Sequence, residues 1–382
     1  MHFLLKHITI LKLLPLLFLI SSGKLKIKED IKKTEYASVI FVGDLMCHGP
    51  QIESARVLTN SDSFDFYETY NYVSKIISSA NLAIGNLETV IGGKEIGYSG
   101  YPTFNSPIDF VEGIKNAGFD FLITANNHTY DKGKKGLVNT LYELGKLNIP
   151  STGSYKSQVD RDSIRIISVN NIKIAILAYS YGINGYKLPK DEKYLINIID
   201  TNLIKRDINK AKELKSDLIL TYFHYGEEYQ KLPNSFQKNM TQFAVKHGSD
   251  LVIGSHPHVI QPIEYFKGNN NLDTGFVAYS LGNFISNQRE RYTDCGIILK
   301  FIIVKEDSTL KLSSVEYIPT WVFKGYKDNK LKYYILPNEE NMYSKYNFLT
   351  TNDILKSKQA LFDTESIITK FSTKTKRVKE IN

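Results

Sequence analysis

Five apolar runs of this chain each end in polar or imidazole side chains, and this repeated pattern constrains the fold more than any other feature. A buried carboxylate, amide or imidazole without a partner costs several kcal/mol, so such strand ends need a common explanation. A shared metal site supplies one, because oxygen and nitrogen ligands without a thiolate set suit Zn, Mn or Fe(II). The runs with their polar ends are residues 41–48, 83–88, 122–128, 220–224 and 251–258.

The run that ends in Gly-Ser-His-Pro-His places two imidazoles at a strand end. His256 precedes Pro257 and is therefore predicted to be extended, a geometry in which side chains two positions apart project to the same side. Both His256 and His258 are then expected to reach one metal cluster. A solvated turn is the alternative, because His-Pro-His is also common in loops. An acidic residue between two cations would suit a two-metal centre.

The amino terminus carries the features of an export signal in residues 1–23. Lys6 and His7 precede a short apolar stretch, residues 8–20, which is too short for a comfortable membrane span. A buried helix is the alternative, and both cleavage of the signal and its retention as a membrane anchor are open. Residues 24–36 are rich in Lys and are predicted to be a linker, with the folded domain beginning near Ala37.

Composition limits the classes of partner. The net charge of +8 is spread along the chain and suits anionic membranes or polymers. No RNA-binding or helix-turn-helix signature accompanies that charge, so nucleic acid is not expected as a partner. Cys47 and Cys295 are the two cysteines, which excludes a framework of several disulfides. We expect each to be a small buried thiol, with pairing after export as the alternative.

The periodicity of the chain predicts the fold class. Short β-rich runs alternate with amphipathic stretches at three-and-four spacing, which is typical of a βαβα pattern. The amphipathic stretches are residues 67–80, 108–118, 136–147, 203–214 and 234–247. Residues 164–169 and 172–179 flank Asn170-Asn171 and are predicted to form a β-hairpin.

Three further β-rich runs, residues 276–281, 296–304 and 312–322, are expected to complete a second sheet. Two sheets face to face with helices outside make a four-layer α/β/β/α sandwich, which we predict for residues 37–323. Residues 324–382 are polar and weakly periodic, and we expect them to form a small peripheral C-terminal extension.

These motifs, in this order, resemble the calcineurin-like metallophosphoesterase superfamily over about residues 37–290. Within it they resemble the bacterial capsule-synthesis proteins known as the CapA or PgsA poly-γ-glutamate family. The segments that carry the resemblance are residues 85–88 (GNLE), 125–133 (ANNHTYDKG), 224–229 (HYGEEY), 254–259 (GSHPHV) and 280–284 (SLGNF). The resemblance implies two divalent transition-metal ions, with Mn, Fe or Zn as the candidates.

The same resemblance implies roles for individual residues. Glu88 occupies the bridging position, where the superfamily usually has an aspartate, and His128 follows Asn127 in the manner of the superfamily's catalytic histidine. His48 is further from Asp44 than the superfamily pattern places it, and it reaches the site if the chain turns helically after Asp44. The implied metal ligands are Asp44, Glu88, Asn127, His224, His256 and His258, with His48 as a further candidate.

Three more residues are candidates on local grounds. Glu228 is predicted to contact substrate or to orient His224, although an exposed loop glutamate would look the same. Asn283 either hydrogen-bonds substrate or closes a turn. Asp131 is expected to cap the helix that begins near Gly133.

Two functions from different classes follow. The first is an exported metal-dependent hydrolase or transferase in the synthesis, anchoring or release of an anionic capsule polymer such as poly-γ-glutamate, acting on the polymer or its carrier. It would work in the periplasm or on the extracytoplasmic face of the membrane. The second is a non-catalytic, polymer-binding accessory subunit of a membrane-bound capsule synthase. Retention of His128 favours the enzyme, whereas an amino-terminal anchor and the altered bridge at Glu88 favour the accessory subunit.

Overall fold

The computed structural model describes residues 34–57, 60–268, 270–307 and 309–379. The chain from Thr34 onward forms one compact unit. The predicted signal of residues 1–23 and most of the predicted linker lie outside the described residues. Within those residues, no helix combines the length and the apolar character that crossing a membrane requires.

The described strands, numbered in chain order, lie mostly in two large sheets. They are β1 (Thr34–Leu45), β2 (Arg56–Val57), β3 (Asn60–Phe64), β4 (Leu82–Leu87), β5 (Phe121–Ile123), β6 (Ser151–Thr152), β7 (Arg165–Val169), β8 (Ile172–Ser180), β9 (Leu218–His224), β10 (Leu251–Ser255), β11 (Ile263–Lys267), β12 (Thr274–Ala278), β13 (Asn283–Ile285), β14 (Cys295–Glu306), β15 (Thr309–Lys327), β16 (Lys330–Pro337) and β17 (Lys376–Arg377).

The described α-helices are α1 (Gly49–Ala55), α2 (Ser74–Ile77), α3 (Ile108–Asn116), α4 (Gly133–Lys146), α5 (Gln158–Asp162), α6 (Thr201–Glu213), α7 (Ser235–His247), α8 (Met342–Lys345) and α9 (Thr351–Phe371). The helix predicted over residues 67–80 is broken into a 3₁₀ segment, Tyr67–Tyr70, and the short α2.

The nine-stranded sheet has the order β16-β15-β14-β1-β4-β5-β6, with β13 paired to β1 and β17 to β15. Strands β1, β4, β5 and β6 run parallel, whereas β14, β15 and β16 are antiparallel neighbours. The six-stranded sheet has the order β11-β12-β10-β9-β8-β7. Its central strands β12, β10, β9 and β8 are parallel. The carboxyl ends of the parallel strands therefore share one edge of each sheet, where ligands of such folds bind.

Strand β1 shows how the layers form. Its side chains alternate with a period of two, so Val39 and Phe41 enter the layer between the sheets while Ile40 and Val42 face the other way. The outer face packs against α1 and α3, and the outer face of the smaller sheet packs against α6 and α7. Each fully buried aliphatic or aromatic side chain contributes about 1.5–3 kcal/mol. The predicted four-layer α/β/β/α sandwich is confirmed.

Two boundaries differ from the prediction. Strand β1 begins at Thr34, inside the predicted linker of residues 24–36. The predicted boundary near residue 323 falls within β15, and β16 beyond it is hydrogen-bonded into the nine-stranded sheet. Buried side chains of α9, such as Ile368, join the layer between the sheets together with Leu336 of β16. This corrects the expectation of a peripheral extension, because residues 330–371 help to close the core.

The pairing of the last strands also differs from the prediction. Residues 276–281 were expected to share a sheet with residues 296–304 and 312–322. Of these three runs, the first forms β12 in the smaller sheet. The other two form β14 and β15, which lie in the nine-stranded sheet, where β14 pairs antiparallel with β1. The predicted hairpin at Asn170-Asn171 is present, and both Asn residues adopt the positive φ that such a turn requires. Cys47 and Cys295 are both free and buried thiols.

Candidate metal centre

Strands from both sheets bring five ionisable side chains together at their carboxyl ends. Asp44 lies near the end of β1 and Glu88 directly follows β4. His224 ends β9, while His256 and His258 follow β10. All of them are buried. The shared edge predicted from the apolar runs is therefore the place where these side chains meet.

The side chains form two overlapping groups. Glu88 lies with His224 and His256 in one group and with Asp44 and His258 in the other, and the ligand atoms of each group are within 4.8 Å of one another. Oε1 of Glu88 is 3.6 Å from Nε2 of His224 and 3.9 Å from Nε2 of His258. Glu88 thus occupies the position shared by the two groups, as the family resemblance implied for a bridging carboxylate.

The site contains buried polar atoms that need a partner. Oε1 of Glu88 and Nδ1 of His256 are buried without a hydrogen-bond partner among the described residues. Leaving such atoms unsatisfied costs about 1–3 kcal/mol each. Lys and Arg side chains of the described residues form no ion pair with this carboxylate. The donor set of carboxylate and imidazole atoms fits divalent Zn, Mn or Fe, which would satisfy the shared carboxylate.

The two carboxylates differ in their electrostatic environment. Burial raises the pKa of Glu88 well above its usual range, and the nearby Asp44 raises it further. Burial also acts to raise the pKa of Asp44, but the hydrogen bond and charge of His258 outweigh it and the pKa falls below its usual range. Nδ1 of His258 lies 3.1 Å from Oδ2 of Asp44. Two adjacent buried carboxylates are stabilised in the charged form by an added cation.

The imidazoles on the other side favour the neutral form. Burial and the neighbouring His256 ring hold the pKa of His224 well below its ordinary value. Burial and His258 lower the pKa of His256 to about 3. Neutral imidazole is the form that binds metal, so these rings are ready to act as ligands at neutral pH.

The carboxylates are held by residues that sequence reasoning missed. Asn86 Nδ2 donates to Asp44 Oδ1 at 2.8 Å and to Glu88 Oε2 at 3.3 Å. Asn126 Nδ2 in turn donates to Asn86 Oδ1 at 3.1 Å. The hydroxyl of Ser255 donates to Asp44 Oδ1. Such outer contacts orient ligands, and the position of Asn86 two residues before Glu88 was the available signal.

Asn127 lies against the group formed by Glu88, His224 and His256. Its Oδ1 is 2.8 Å from Nε2 of His224, the same ring atom that faces Glu88. Its Nδ2 donates to Oδ1 of Asn184 at 3.0 Å. An amide oxygen at this point adds an oxygen donor to that group, which is the position implied by the family resemblance.

His128 is paired with a carboxylate. Its Nδ1 lies 2.7 Å from Oδ2 of Asp131 and 3.3 Å from Nδ2 of Asn184. Asp131 was expected to cap α4, but Lys132 is the N-cap residue and it makes no side-chain capping bond. Asp131 instead favours a proton on Nδ1 of His128, which leaves Nε2 available for proton exchange.

His48 belongs to neither ligand group. The helical path from Asp44 that would have carried it there does not occur, because β1 is followed by an extended N-cap conformation at His48 (φ −79°, ψ 163°). Nδ1 of His48 lies 3.2 Å from Oε1 of Gln51. The Phe104 ring contacts both His48 and His128 edge-on, with centroid distances of 5.0 and 4.6 Å. Burial lowers the pKa of His48 to about 4.

The two predicted substrate contacts have different positions. Glu228 is exposed in the loop after β9, while the His224 ring that it was expected to orient contacts Asn127. Asn283 is buried, with Oδ1 3.1 Å from Nδ1 of His258, and its Nδ2 donates to Oε1 of Gln288 at 2.8 Å. Asn283 therefore orients the imidazole of His258, a candidate metal ligand, and its role is more than to close a turn.

The backbone of the His-Pro-His segment is not extended as predicted. His256 has φ 103° and His258 has φ 57°, both in the left-handed region. Non-glycine residues held there store about 1–3 kcal/mol of strain, which is typical of functional sites. The two ring centroids are 6.0 Å apart. Both rings reach the centre, but through a sharp turn directly after β10.

Two facing sheets enclosed by helices, with a buried cluster of carboxylates, amides and imidazoles at the strand ends, define a four-layer sandwich with a candidate two-metal centre. Residues 38–288 match the family described as bacterial capsule synthesis protein PGA_cap, and the chain belongs to this family.

Two relatives come from Bacillus. The chain is 29% identical over 259 residues to the PGA biosynthesis protein CapA of Bacillus subtilis (strain 168), covering 66% of this chain and 63% of the relative. It is 26% identical over 266 residues to the capsule biosynthesis protein CapA of Bacillus anthracis, covering 67% and 61%. The chain thus spans a little under two thirds of the length of these relatives.

Two solved structures are similar to this chain. The NAD nucleotidase NadN of Haemophilus influenzae has a TM-score of 0.48 at 14% identity, covering 91% of this chain and 58% of that one. The calcineurin-like phosphoesterase YfkN of Bacillus subtilis has a TM-score of 0.43 at 14% identity, covering 86% and 99%.

Proposed function

We propose that this protein is an exported, metal-dependent hydrolase or transferase in the synthesis, anchoring or release of an anionic capsule polymer such as poly-γ-glutamate. The observation that carries the proposal is the buried centre in which Glu88 is shared by two groups of ligand atoms. The names of the two Bacillus relatives, which refer to PGA and capsule biosynthesis, support the role in capsule formation.

The residues divide into two ligand sets around Glu88. Asp44 and His258 form the first set, and Asn127, His224 and His256 form the second. When bound, two divalent ions supply Lewis acidity and a nucleophile at neutral pH. The protein's own contribution is to exclude water, to keep the imidazoles of His224 and His256 neutral and to fix the carboxylates through Asn86.

His128 is the proposed general acid. Asp131 accepts a hydrogen bond from its Nδ1–H, so the ring is fixed, and the ring protonated on both nitrogens gives its Nε2 proton to the leaving group and is left as the Nδ1–H form. A purely structural metal site does not need a positioned imidazole beside its ligands. The pair of His128 and Asp131 therefore supports an enzyme over an accessory subunit.

Export and partners belong to the same proposal. Residues 1–23 deliver the domain across the cytoplasmic membrane, and the protein works at the cell surface. Its partners are the anionic polymer or its carrier, together with membrane-bound subunits of a capsule synthase. The net charge of +8 supports contact with a polyanion or an anionic membrane.

The test compares His128→Ala with the wild type in a screen of phosphoester and γ-glutamyl amide substrates, with metal content measured on the same samples. Turnover should fall by about 10²–10⁴-fold, the usual contribution of a positioned acid, while metal is retained. His247→Ala is the matched control, because that ring contacts Phe243 on α7, outside both ligand groups. If His128→Ala keeps its metal and fully supports polymer assembly in cells, the accessory function replaces the enzyme.

A further inference from the structure

A cavity of about 470 Å³ lies beside the candidate metal centre. This volume is within the range of about 300–1,000 Å³ that is usual for ligand pockets. The Tyr229 ring, which lines the cavity, lies 6.3 Å from the His258 ring. Gln288 also lines it and accepts a hydrogen bond from Asn283, the residue that contacts His258. The lining residues are His48, Gly49, Pro50, Gly100, Tyr101, Tyr229, Asn287 and Gln288.

The amide of Asn287 presents hydrogen-bond donors to this cavity. Its Oδ1 accepts from Nζ of Lys324 at 2.9 Å and from the hydroxyl of Tyr333 at 2.6 Å. These two donors fix the orientation of the amide. Its Nδ2 forms no hydrogen bond with another described residue, so both N–H groups are available to a ligand with acceptor oxygens.

The surroundings of Asn287 carry the positive charges of Lys324 and Arg289. Lys324 and Arg289 form no ion pair within the described part of the chain. Nε and Nη1 of Arg289 donate to backbone carbonyls, and its Nη2 is buried without a partner among those residues. The carboxylate of Asp294, which accepts a hydrogen bond from Trp321 at 2.8 Å, offsets part of the charge of Arg289, whereas no such carboxylate of the described residues acts on Lys324. Burial lowers the pKa of Arg289, and burial together with Arg289 lowers that of Lys324.

We propose that this cavity is a substrate subsite that binds a side-chain carboxylate of a γ-glutamyl chain, with Asn287 as the donor and Lys324 and Arg289 as the source of positive charge. No Asp or Glu is among the described residues that line the cavity, although the carboxylate of Glu228 lies beside it, within hydrogen-bonding reach of Tyr229. Tyr229 and Gln288 connect the cavity to His258, so a polymer chain bound there lies beside the candidate metal centre. The inference rests on the proposed function and names the part of the site that selects an acidic polymer.

The test measures binding of a short γ-linked glutamate oligomer to the Mn-loaded full chain by calorimetry. Lys324→Gln and Asn287→Ala should each weaken binding by about tenfold or more. Lys324→Gln removes a positive charge near the bound carboxylate, and Asn287→Ala removes the amide that donates hydrogen bonds to it. Lys327→Gln is the matched control. It removes the same charge three residues along β15, where Nζ lies over the rings of Tyr334 and Phe348, 5.5 and 5.3 Å from their centroids. Its affinity should stay within about twofold of the wild type.

Asn287→Asp provides a second variant of unchanged shape in case Lys324→Gln does not fold. It should lose more affinity than Asn287→Ala, because it places a like charge in the subsite. Unchanged binding by folded Lys324→Gln and Asn287→Asp would overturn the proposal, as would a wild type that does not bind the oligomer. Equal binding of a γ-linked glutamine oligomer, or preferential binding of inorganic phosphate, would also overturn it.

Binding and turnover separate this subsite from the proposed function. His128→Ala should bind the oligomer as the wild type does, because His128 does not line the cavity. If the wild type binds the oligomer in a Lys324-dependent way but turns over no substrate, the subsite stands and the proposed enzyme fails. If the wild type turns substrate over while the cavity variants bind normally, the enzyme stands and the subsite fails.

Discussion

Nδ1 of His128 lies 2.7 Å from Oδ2 of Asp131, and both side chains are almost fully buried. The same carboxylate oxygen accepts the backbone N–H of Phe104 at 2.7 Å. Asp131 is thus held by Phe104, in the segment before α3. It in turn orients the imidazole of His128, which follows β5. The ring of His128 cannot rotate without breaking a buried, charge-assisted hydrogen bond.

We predict that Asp131→Asn lowers kcat by about 10–100-fold with little change in KM, because a residue that orients a catalytic ring affects the reaction more than binding. Metal content should be unchanged. Asp120→Asn is a suitable control, since that carboxylate also accepts a backbone N–H, from Ala83, at the opposite end of β4. Steady-state kinetics with elemental analysis measures both effects. A fall in metal content equal to the fall in kcat would mean that Asp131 acts on the metal centre instead.

We predict that the folded full-length protein carries about two equivalents of a divalent transition metal and that His256→Ala retains about one. The imidazole of His256 belongs to only one of the two ligand groups, so its loss should spare the other. Elemental analysis after loading with Mn or Zn provides the measurement, and His247→Ala should match the wild type. Full occupancy in His256→Ala, or no metal in the folded wild type, would contradict the assignment.

We predict that the metal-free protein loses stability as the pH falls from 6.5 toward 4, and that His48→Asn loses less. Burial lowers the pKa of His48 from 6.5 to about 4. In that window the unfolded chain binds a proton on His48 and the folded chain does not, so acid favours unfolding. The contribution of this group reaches about 3 kcal/mol at most, since one pH unit corresponds to about 1.4 kcal/mol.

Urea denaturation at several pH values measures this effect on the free energy of unfolding. Asn is also a favoured N-cap residue, so the substitution preserves the start of α1. His247→Asn controls for the loss of a histidine elsewhere. Parallel pH profiles for the wild type and His48→Asn would show that His48 is not the buried neutral group inferred from its surroundings.

We predict that the full-length protein is recovered outside the cytoplasmic fraction and that deletion of residues 2–23 retains it in the cytoplasm. Lys6 and the apolar residues 8–20 supply the charge and hydrophobicity that export signals require. Cell fractionation with an antibody to the folded domain measures both forms. Cytoplasmic recovery of the full-length protein, independent of residues 2–23, is the result that would exclude export.

Much of the candidate site could be predicted because strand ends are local features. An apolar run fixes where a strand stops, and parallel strands bring their carboxyl ends to one edge. Asp44, Glu88 and His224 follow directly from this reasoning. The role of Asp131 could not be predicted in the same way. A carboxylate two residues before Gly133 has the same sequence context whether it caps a helix or pairs with His128.

Features that depend on distant contacts were harder to predict. The β-branched and aromatic residues of 296–304 and 312–322 indicate strands but not the neighbours of those strands. The pairing of β14 with β1 depends on the whole sheet. The left-handed backbone of His256 also depends on the tertiary structure, because the local effect of Pro257 favours extension. Strain of this kind is tolerated where the surrounding structure holds the chain in place.

Strand β1 runs from Thr34, the first described residue, to the metal centre at Asp44. At about 3.3 Å per residue, those ten steps separate the two points by roughly 30 Å. Thr34 therefore lies at the edge of the nine-stranded sheet remote from the candidate site. Attaching the protein to a bead or a sensor surface through the side chain of position 34 would leave the candidate site open to long polymer chains, whereas attachment beside β10 would obstruct it.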